Sequence, residues 1–511
     1  MEFCSFIGTI PASFGKLYNL EYLSLYENPK LTGSIPIQLG DLGTLVELDL
    51  GYCSITGTIP ATFGQLNNLE QLWLDYNAEL TGTIPPELGN LSMLTHLHLG
   101  GCSITGTIPA ILGQLNKLKH IWLDYNAELT GTIPDQLGDL SMLYDLKLED
   151  CSLTGTIPAS LGQLNNLEHL WLFSNAELTG TIPPELGHLS MLIELDLYDC
   201  SITGTIPSSL GQLNNLIDLG LDGNAELTGT IPPELGNLSM LTDLYLRDCS
   251  LTGTIPTSMY HLSHLIYVAL NNNLLTGSIP SNLGQLIRLQ QLYLYNNLLS
   301  NSIPSTLSNL SSLVELQLQS NKLSGNLNGL FNSETQRLLN FVDVSHNQLT
   351  GSLPTEAFQL TKLNTFVAVS NCFSGTLPLT ICNNTAMVSL ILDGLQTAPA
   401  CQQRLLPHTS SNGYVTASQY SGHILSCLFN MSHLISLHLS GNGLSGSLPE
   451  DLVVSHSLVD LTLSHNALTG PIPRSIQRRM WKNLDLSYNR LSGMLDSDFA
   501  QGETDFSLTL G

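Results

Sequence analysis

The chain has 511 residues, of which 42% are hydrophobic and 11% charged, against about 25% charged in an ordinary globular protein. Its 42 acidic and 16 basic side chains give a net charge of −26, which argues against nucleic acid as a partner because phosphate binding needs a basic surface. No run of 18 apolar residues is present, so the sequence predicts no membrane span in this chain.

The sequence is built from an internal repeat. Residues 48–97 read LDLGYCSITGTIPATFGQLNNLEQLWLDYNAELTGTIPPELGNLSMLTHL, a pair of coils of 24 and 25 residues that recurs every 49 residues. Two series of residues keep this period, Cys4, Cys53, Cys102, Cys151, Cys200 and Cys249, and Asn28, Asn77, Asn126, Asn175, Asn224 and Asn273. A fixed period of this length predicts a solenoid in which each coil packs on its neighbours, so we expect one domain despite the length.

Each coil predicts three short elements. The segment LxxLxLxx alternates inward leucines with outward residues and predicts a strand, and these strands stack in parallel on the concave face. The segment LTGxI alternates again and predicts a second strand, which ends at the following proline. The segment xxLGxLxxL returns along the convex side as a helical or 3₁₀ turn.

The full pattern resembles a known repeat family. LxxLxLxxNxLTGxIPxxLGxLxxL, present here as LNNLEQLWLDYNAELTGTIPPELGNLSML, is similar to the plant-type leucine-rich repeat. That repeat occurs in the ectodomains of plant receptor-like kinases and receptor-like proteins and in polygalacturonase inhibitors. The resemblance covers nearly the whole chain and implies an α/β solenoid, a right-handed superhelix of about 20 coils used for ligand or protein binding. The replacement of Asn by Cys in alternate coils departs from the pattern.

We expect a single leucine-rich-repeat solenoid over residues 1–511. Residues 1–273 are highly regular double repeats, 274–395 are more divergent coils, and 426–511 are regular again. The stretch 396–425 could be an inserted island, but Leu395 to Asn442 spans about two coil lengths, which predicts a degenerate coil containing Cys401. Both ends fall inside a coil without a polar cap, which predicts a fragment from which a signal peptide or anchor is missing.

The ten cysteines divide into two groups. The six that mark the 49-residue period lie two coils apart, about 9.6 Å along the stack, too far for disulfides, and are predicted to be buried structural thiols. The other four, Cys372, Cys382, Cys401 and Cys427, allow three connectivities. Five N-x-S/T sequons fit secretion and are candidate N-glycan sites: Asn90, Asn237, Asn309, Asn383 and Asn430.

The outward positions of the concave strands predict the binding site. Three tryptophans recur in every second coil of one column, about 10 Å apart, among polar neighbours that do not explain them by packing. Exposed aromatic residues among polar groups are typical anchors of interfaces and also suit sugar rings. The predicted ligand-binding residues are Trp73, Asp75, His96, His98, His120, Trp122, Asp124, Asp145, Lys147, His169 and Trp171. The alternative is that the tryptophans were simply copied with the repeat.

The histidines of this face have two further interpretations. His96, His98, His120 and His169, with Asp145, lie on adjoining coils, so three imidazoles and a carboxylate could hold zinc or form a pH-sensitive interface. Because no supporting residues can be identified for a metal, we predict neither a metal site nor a cofactor.

Catalytic motifs are weak. Gly441, Gly443 and Gly446 match a nucleotide-binding spacing but lie in an ordinary repeat turn, and no other catalytic signature is present, so we predict no enzyme. Nine consecutive coils carry Thr-Gly-Thr, from Thr56 and Thr58 to Thr252 and Thr254, which could bind ice.

Taken as a whole, the sequence predicts an extracellular or cell-surface recognition module that binds a peptide, protein or glycan on its concave face. The alternatives are an ice-binding structural protein that uses its threonines, and an inhibitor of a wall-degrading glycosidase.

Overall fold

The LxxLxLxx segments form three-residue strands that pair in parallel. A computed structural model describes residues 6–402, 422–497 and 507–509, and the chain divides into unit 1, residues 1–252, and unit 2, residues 253–511. Both units are leucine-rich solenoids in which coil follows coil in chain order, as predicted. No helix in the described part of the chain is long and apolar enough to cross a membrane.

In unit 1 the concave strands pair at equivalent repeat positions. Leu72 pairs with Leu97, and Leu97 with Ile121, so the residues at each repeat position form a straight column across the sheet. The concave strands of unit 1 are Tyr22–Ser24, Glu47–Asp49, Gln71–Trp73, His96–His98, His120–Trp122, Asp145–Lys147, His169–Trp171, Glu194–Asp196, Asp218–Gly220 and Asp243–Tyr245.

The predicted second strand of each coil is also present. These strands of unit 1 are Gly8–Thr9, Leu31–Ser34, Ser54–Thr58, Leu80–Thr83, Ser103–Thr107, Leu129–Thr132, Ser152–Thr156, Leu178–Thr179, Gly204–Thr205 and Leu227–Thr228. Their register is oblique, because the second threonine of one coil pairs with the first of the next, as Thr58 does with Thr81 and Thr132 with Thr154. The threonines of successive coils are therefore offset in register and do not form two straight columns across the sheet.

In unit 1 the convex return of each coil is a five-residue 3₁₀ helix that begins directly after a proline. Proline fixes the backbone at the helix start and lacks the N–H that a helix start leaves unpaired. These helices are Ala12–Lys16, Ile37–Asp41, Ala61–Gln65, Pro86–Asn90, Ala110–Gln114, Asp135–Asp139, Ala159–Gln163, Pro184–His188, Ser208–Gln212 and Pro233–Asn237.

Unit 2 repeats this plan with weaker second strands. Its concave strands are Tyr267–Ala269, Gln291–Tyr293, Glu315–Gln317, Phe341–Asp343, Thr365–Val367, Ser389–Ile391, Ser436–His438, Asp460–Thr462, Asn483–Asp485 and Ser507–Thr509. Its other strands are Ser300–Ser302, Lys322–Gly325, Gln348–Gly351, Cys372–Phe373, Ser445–Ser447, Ala467–Gly470 and Arg490–Leu491.

Short helices complete the coils of unit 2. The 3₁₀ helices are Thr257–His261, Ser281–Gln285, Ser305–Asn309, Ala357–Gln359, Leu379–Asn383 and Ser426–Asn430. Two α-helical turns are Pro399–Gln402 and Arg474–Gln477.

The prediction of a degenerate coil at 396–425 is wrong. Strand Ser389–Ile391 pairs directly with Ser436–His438, so no concave strand lies between them. The side chain of Asn442 accepts a hydrogen bond from Leu395 N at 2.8 Å, the contact that neighbouring coils make elsewhere. Length alone suggested two coils, but the pairing shows one coil with extra residues, of which 403–421 lie outside the described part.

Asparagine and cysteine play related roles inside the solenoid. Asn126 is fully buried and donates to the carbonyls of Leu99 and Leu123 at 3.0 and 2.8 Å, while its Oδ1 accepts from Ile104 N at 3.0 Å. Cys102 donates only through its thiol, to the Leu74 carbonyl at 3.4 Å. The predicted buried thiols are confirmed for Cys53, Cys102, Cys151, Cys200 and Cys249, whereas Cys4 lies outside the described residues.

The remaining four cysteines form two disulfides in unit 2. Cys372 pairs with Cys401, and Cys382 pairs with Cys427, one of the three connectivities that the sequence left open. Each bond ties a residue of the coil before the extra segment to a residue at one end of that segment.

Candidate functional site

The central column of the concave face in unit 1 is a continuous stack of side chains. Strand pairing places Trp73, His98, Trp122, Lys147 and Trp171 side by side in that order. The His98 imidazole lies parallel to the Trp122 indole with 3.8 Å between ring centroids, and at 5.8 Å from the Trp73 ring. The stack follows from the straight register, since strands about 4.8 Å apart bring equivalent side chains into contact.

The ammonium group of Lys147 contacts two tryptophan rings of this stack. Lys147 Nζ lies 4.4 Å from the centroid of the Trp122 ring and 3.8 Å from that of Trp171. The geometry is that of a cation–π sandwich. The three tryptophans are half-buried rather than exposed as predicted, because their neighbours in the column cover their faces.

Several polar atoms of this column are buried without a hydrogen-bond partner. They are Trp73 Nε1, Trp122 Nε1 and His98 Nε2, whereas Trp171 Nε1 donates to Glu194 Oε2 at 3.0 Å. Burial, with the positive charges of nearby histidines and Lys147 adding to it, lowers the pKa of His98 to about 3, so the ring is neutral. Unpartnered buried polar groups are costly, and a ligand that bonds to them removes that cost.

The adjoining column carries a hydrogen-bonded carboxylate. Asp145 accepts hydrogen bonds from the Nδ1 atoms of His120 and His169, the latter at 2.6 Å. Burial would raise the pKa of Asp145, but these two hydrogen bonds outweigh it and hold the pKa below its usual range. The bond to Asp145 raises the pKa of His169. Burial lowers the pKa of His96, which stacks on His120 at 4.5 Å, to about 4.

The column on the other side of the stack is acidic. Burial, with neighbouring carboxylates adding to it, raises the pKa of Asp75 to about 6 and that of Glu149 to about 8, and burial also raises the pKa of Asp124. Asp124 Oδ1 and Glu149 Oε2 are buried without a hydrogen-bond partner. Gly100 makes room for this column, because a Cβ atom there would lie 2.5 Å from Asp124 Oδ1.

The stack and the acidic column line one pocket of about 480 Å³. Its lining residues are Tyr26, Asp49, Tyr52, Trp73, Asp75, Tyr76, His98, Gly100, Trp122, Asp124, Tyr125, Lys147, Glu149 and Trp171. Four carboxyl groups and one ammonium group therefore face the same space. Among the described residues, no group of three or more His, Cys, Asp or Glu side chains is arranged to hold a metal ion.

Comparisons with known proteins identify the repeat. Models of the leucine-rich repeat match residues 43–104 and, further along, 166–189, 191–213, 240–262, 288–310, 433–453 and 457–478. The structure of the Arabidopsis receptor kinase HAESA with the peptide hormone IDA and the co-receptor SERK1 shares 31% identity, covering 95% of this chain and 81% of that one at a TM-score of 0.76. The chain belongs to the leucine-rich-repeat family. Its repeats are of the plant type.

Two further structures resemble this leucine-rich-repeat chain. The plant peptide hormone receptor RGFR1 in complex with RGF2 has 29% identity and a TM-score of 0.76, covering 96% of this chain and 86% of that one. A TDR receptor has 29% identity and a TM-score of 0.77, covering 98% and 91%. No curated protein sequence matches the chain. The chain is thus receptor-like in its repeat architecture over nearly its whole length.

The structure places all eleven predicted site residues of the leucine-rich-repeat chain on the concave face of unit 1. Seven of them line the pocket, namely Trp73, Asp75, His98, Trp122, Asp124, Lys147 and Trp171. The other four, His96, His120, Asp145 and His169, form the hydrogen-bonded and stacked column beside it. Whether these residues bind a ligand stays a prediction.

Sequence reasoning missed seven residues that line the pocket, namely Tyr26, Asp49, Tyr52, Tyr76, Gly100, Tyr125 and Glu149. Tyr52, Tyr76 and Tyr125 directly precede the Cys or Asn of their coils and have positive φ angles of 52, 54 and 53°. The left-handed backbone turns the side chain back over the strand, so that Tyr52 stacks on Tyr76 with ring centroids 4.4 Å apart. The recurrence of Tyr before this Cys or Asn was the available signal.

Proposed function

We propose that unit 1 binds a peptide in the pocket of its concave face, as part of an extracellular or cell-surface receptor-like module. The observation that carries the proposal is the set of unpartnered nitrogen atoms in the central column, at Trp73, His98 and Trp122. An extended peptide presents carbonyl and N–H groups along its length and can bond to each of them. Binding then removes an existing cost rather than only adding contacts.

The pocket suits a peptide better than a glycan. A sugar ring binds by stacking on an exposed aromatic face, but His98 covers one face of Trp122 and Lys147 contacts a face of the same ring. The indole edge carries the Nε1 N–H group, which is buried in the wall of the pocket without a hydrogen-bond partner. The edge and its nitrogen are suited to a hydrogen bond with a peptide carbonyl.

The related structures support the part of this proposal that concerns a peptide or protein ligand. HAESA was solved with the peptide hormone IDA, and the peptide hormone receptor RGFR1 with RGF2. Another HAESA structure holds the leucine-rich-repeat ectodomain with a peptide hormone ligand, at 28% identity and a TM-score of 0.70. We infer an extracellular location and peptide or protein partners from this likeness, and binding rather than catalysis. The five sequon asparagines are exposed, each at the last residue of a convex 3₁₀ helix, and can carry glycans there.

The test uses a random peptide library selected on the immobilised full chain. Binding peptides are synthesised and titrated by calorimetry against the wild type, W73F and W122F. Phenylalanine keeps an aromatic ring in the stack but removes the indole N–H, so each variant is expected to bind about 10-fold more weakly, the value of one lost hydrogen bond of about 1.4 kcal/mol.

Trp171 supplies the matched control. Its N–H group is already bonded to Glu194, so W171F is expected to change affinity less than W122F. The triple Trp-to-Ala variant is expected to abolish binding, with thermal unfolding recorded to show that the fold persists. Affinities that are equal for the wild type, W122F and the triple variant would overturn the proposal.

A further inference from the structure

Among the described residues, the acidic column of the pocket has no ion-pair partner. Lys147 is held over Trp122 and Trp171, and its charge only partly offsets the effect of burial on the pKa values of Asp124 and Glu149. Asp124 is 7% exposed and Glu149 is 2% exposed, yet each keeps an unpartnered oxygen that belongs to the pocket wall. A buried carboxyl oxygen without a donor is costly.

A second observation in the same pocket points to a ligand independently of these acids. His98 is 9% exposed and its Nε2 atom has no partner. The Asp124 carboxylate packs against Gly100, where a Cβ atom would lie 2.5 Å from Asp124 Oδ1 and 2.8 Å from its Cγ. The φ angle of Gly100 is not positive, so a turn does not require glycine there, whereas the close approach of Asp124 does.

We propose that Asp124 and Glu149 receive an arginine side chain of the bound peptide. The two carboxylates follow adjacent strands at equivalent repeat positions, about 4.8 Å apart, so their free oxygens present two acceptors to a planar guanidinium, which has five donors in a fork. The rings of Tyr76 and Tyr125, which line the same pocket, give the guanidinium flat surfaces for cation–π contact. The inference rests on the proposed peptide-binding function and names the side chain that the pocket selects.

Charge on the rest of the chain agrees with a cationic ligand. The net charge of −26 attracts a basic peptide from a distance and raises its association rate. A metal ion is a poorer occupant, since the described residues offer no ligand group for one. An ammonium group is a poorer match as well, because it is a point charge that cannot bond to two separated oxygens in one plane.

The test compares arginine with citrulline, its neutral isostere. Peptides selected on the full chain are synthesised in both forms and titrated at pH 8.5, above the pKa of about 8 to which burial raises Glu149. The citrulline form is expected to bind the wild type at least 10-fold more weakly. E149Q and D124N are expected to lose a similar factor for the arginine form and little more for the citrulline form. A lysine form is expected to fall between the two.

The control for net charge is D139N. Asp139 is exposed at the end of a convex 3₁₀ helix in the same unit, so this variant removes one negative charge away from the pocket and is expected to bind as the wild type does. G100A provides a second variant that leaves every charge in place, and it is expected to weaken the arginine form because the new methyl group displaces Asp124.

The outcomes separate the two proposals. Peptides whose binding is weakened by W122F but is equal for arginine and citrulline overturn this inference and leave the proposed function standing. Selected peptides that contain no basic residue do the same. If no selected peptide is sensitive to W122F, the proposed function fails and this inference fails with it.

Discussion

The imidazole of His98 lies parallel to the indole of Trp122, with ring centroids 3.8 Å apart and planes at 6°. Both residues occupy the same repeat position in paired strands, so the stack is a direct product of the repeat register. The contact hides one face of the indole, and Lys147 contacts the same ring. Burial in the stack lowers the pKa of the imidazole to about 3, so the ring stays neutral.

Replacing Lys147 by methionine tests the cation–π sandwich. Methionine keeps a flexible apolar stem but removes the charge, so K147M is expected to lose about 1 kcal/mol of unfolding free energy and to shift the tryptophan emission. Chemical denaturation followed by fluorescence measures both. The control is K117M, since Lys117 is exposed outside the column. Equal losses in the two variants would show that the sandwich does not stabilise unit 1.

Replacing Asp145 by asparagine tests the histidine–carboxylate network. The lowered pKa of Asp145 gives stability that is present above the unfolded value of about 4 and is lost as the pH falls through the folded value. The raised pKa of His169 gives stability that is complete below about 6.5 and is lost as the pH rises. The wild type is therefore expected to exceed D145N most between about pH 4 and 6.5, by about 2 kcal/mol. Denaturation midpoints across the pH range measure this difference, and a pH-independent difference would contradict it.

Replacing Glu149 by glutamine tests the buried acid by itself. Because the folded pKa of Glu149 is raised to about 8, its contribution to stability is complete below the unfolded value of about 4.5 and is lost as the pH rises towards 8. E149Q lacks this titration, so it is expected to gain on the wild type by more than about 1 kcal/mol between pH 5 and 8. Unfolding of both proteins at matched pH checks the gain. Parallel stability curves would mean that the carboxyl group titrates normally.

Comparing N126A with C102A tests the two kinds of inner turn. Asn126 donates to backbone carbonyls of two coils and accepts from Ile104 N, so its loss leaves buried groups unpaired and is expected to cost about 3 kcal/mol or more. Cys102 supplies one weak thiol bond, and C102A is expected to cost about 1 kcal/mol. Urea unfolding measures both. A larger loss for C102A would reverse this assignment of roles.

Peptide mapping under non-reducing conditions tests the cysteine pairing. Linked peptides are expected to contain Cys372 with Cys401, and Cys382 with Cys427. The five described free thiols of unit 1 are expected to resist alkylation until the protein unfolds, because they are buried and burial raises the pKa of Cys102 to about 12. Rapid labelling of Cys102 in the native protein would contradict its burial.

The sequence was sufficient for the repeat elements of each unit because the alternation of leucines determines which side chains face inward. Coil counting failed only near Leu395, where a distance of two coil lengths in the sequence corresponds to one step between strands. The number of residues between two strands does not determine whether they pair, because pairing depends on which backbone N–H and C=O groups form hydrogen bonds. The pairing of Cys372 could not be predicted for the same reason, since it depends on how the extra residues leave and rejoin one coil.

The columns of the site could be written from the sequence, but their contacts could not. The tryptophans were predicted to be exposed, yet stacking on His98 and Lys147 half-buries them. Glu149 gave no signal, because an outward glutamate is usually solvated, and its burial depends on the side chains of neighbouring coils. No single repeat determines which ligand the pocket binds, because residues of several coils line it.

The threonines show how a repeated residue acquires a structural role. The hydroxyl group of Thr130 donates to the Gly106 carbonyl at 3.1 Å, and a Cβ atom at Gly131 would lie 2.6 Å from the methyl group of Thr107. The Thr-Gly-Thr segments therefore hydrogen-bond and pack against those of the neighbouring coil. Ice binding by these residues, and inhibition of a glycosidase, stay predictions that an ice-recrystallisation assay and an inhibition assay can test.

The alternation of Asn and Cys coils has a consequence for how such a gene can lengthen. The side-chain hydrogen bonds of Asn126 reach its own coil and the preceding one. A duplicated stretch of 49 residues therefore includes both coils that this asparagine bonds to, and each new junction again joins a cysteine coil to an asparagine coil. Unequal recombination by this length would add one pair of coils and one more residue at the tryptophan position of the column. Recombination by a single coil would set two cysteine turns or two asparagine turns side by side, and unit 2 already holds neighbouring asparagine turns, since Asn321 Oδ1 accepts a hydrogen bond from Leu299 N in the coil of Asn297.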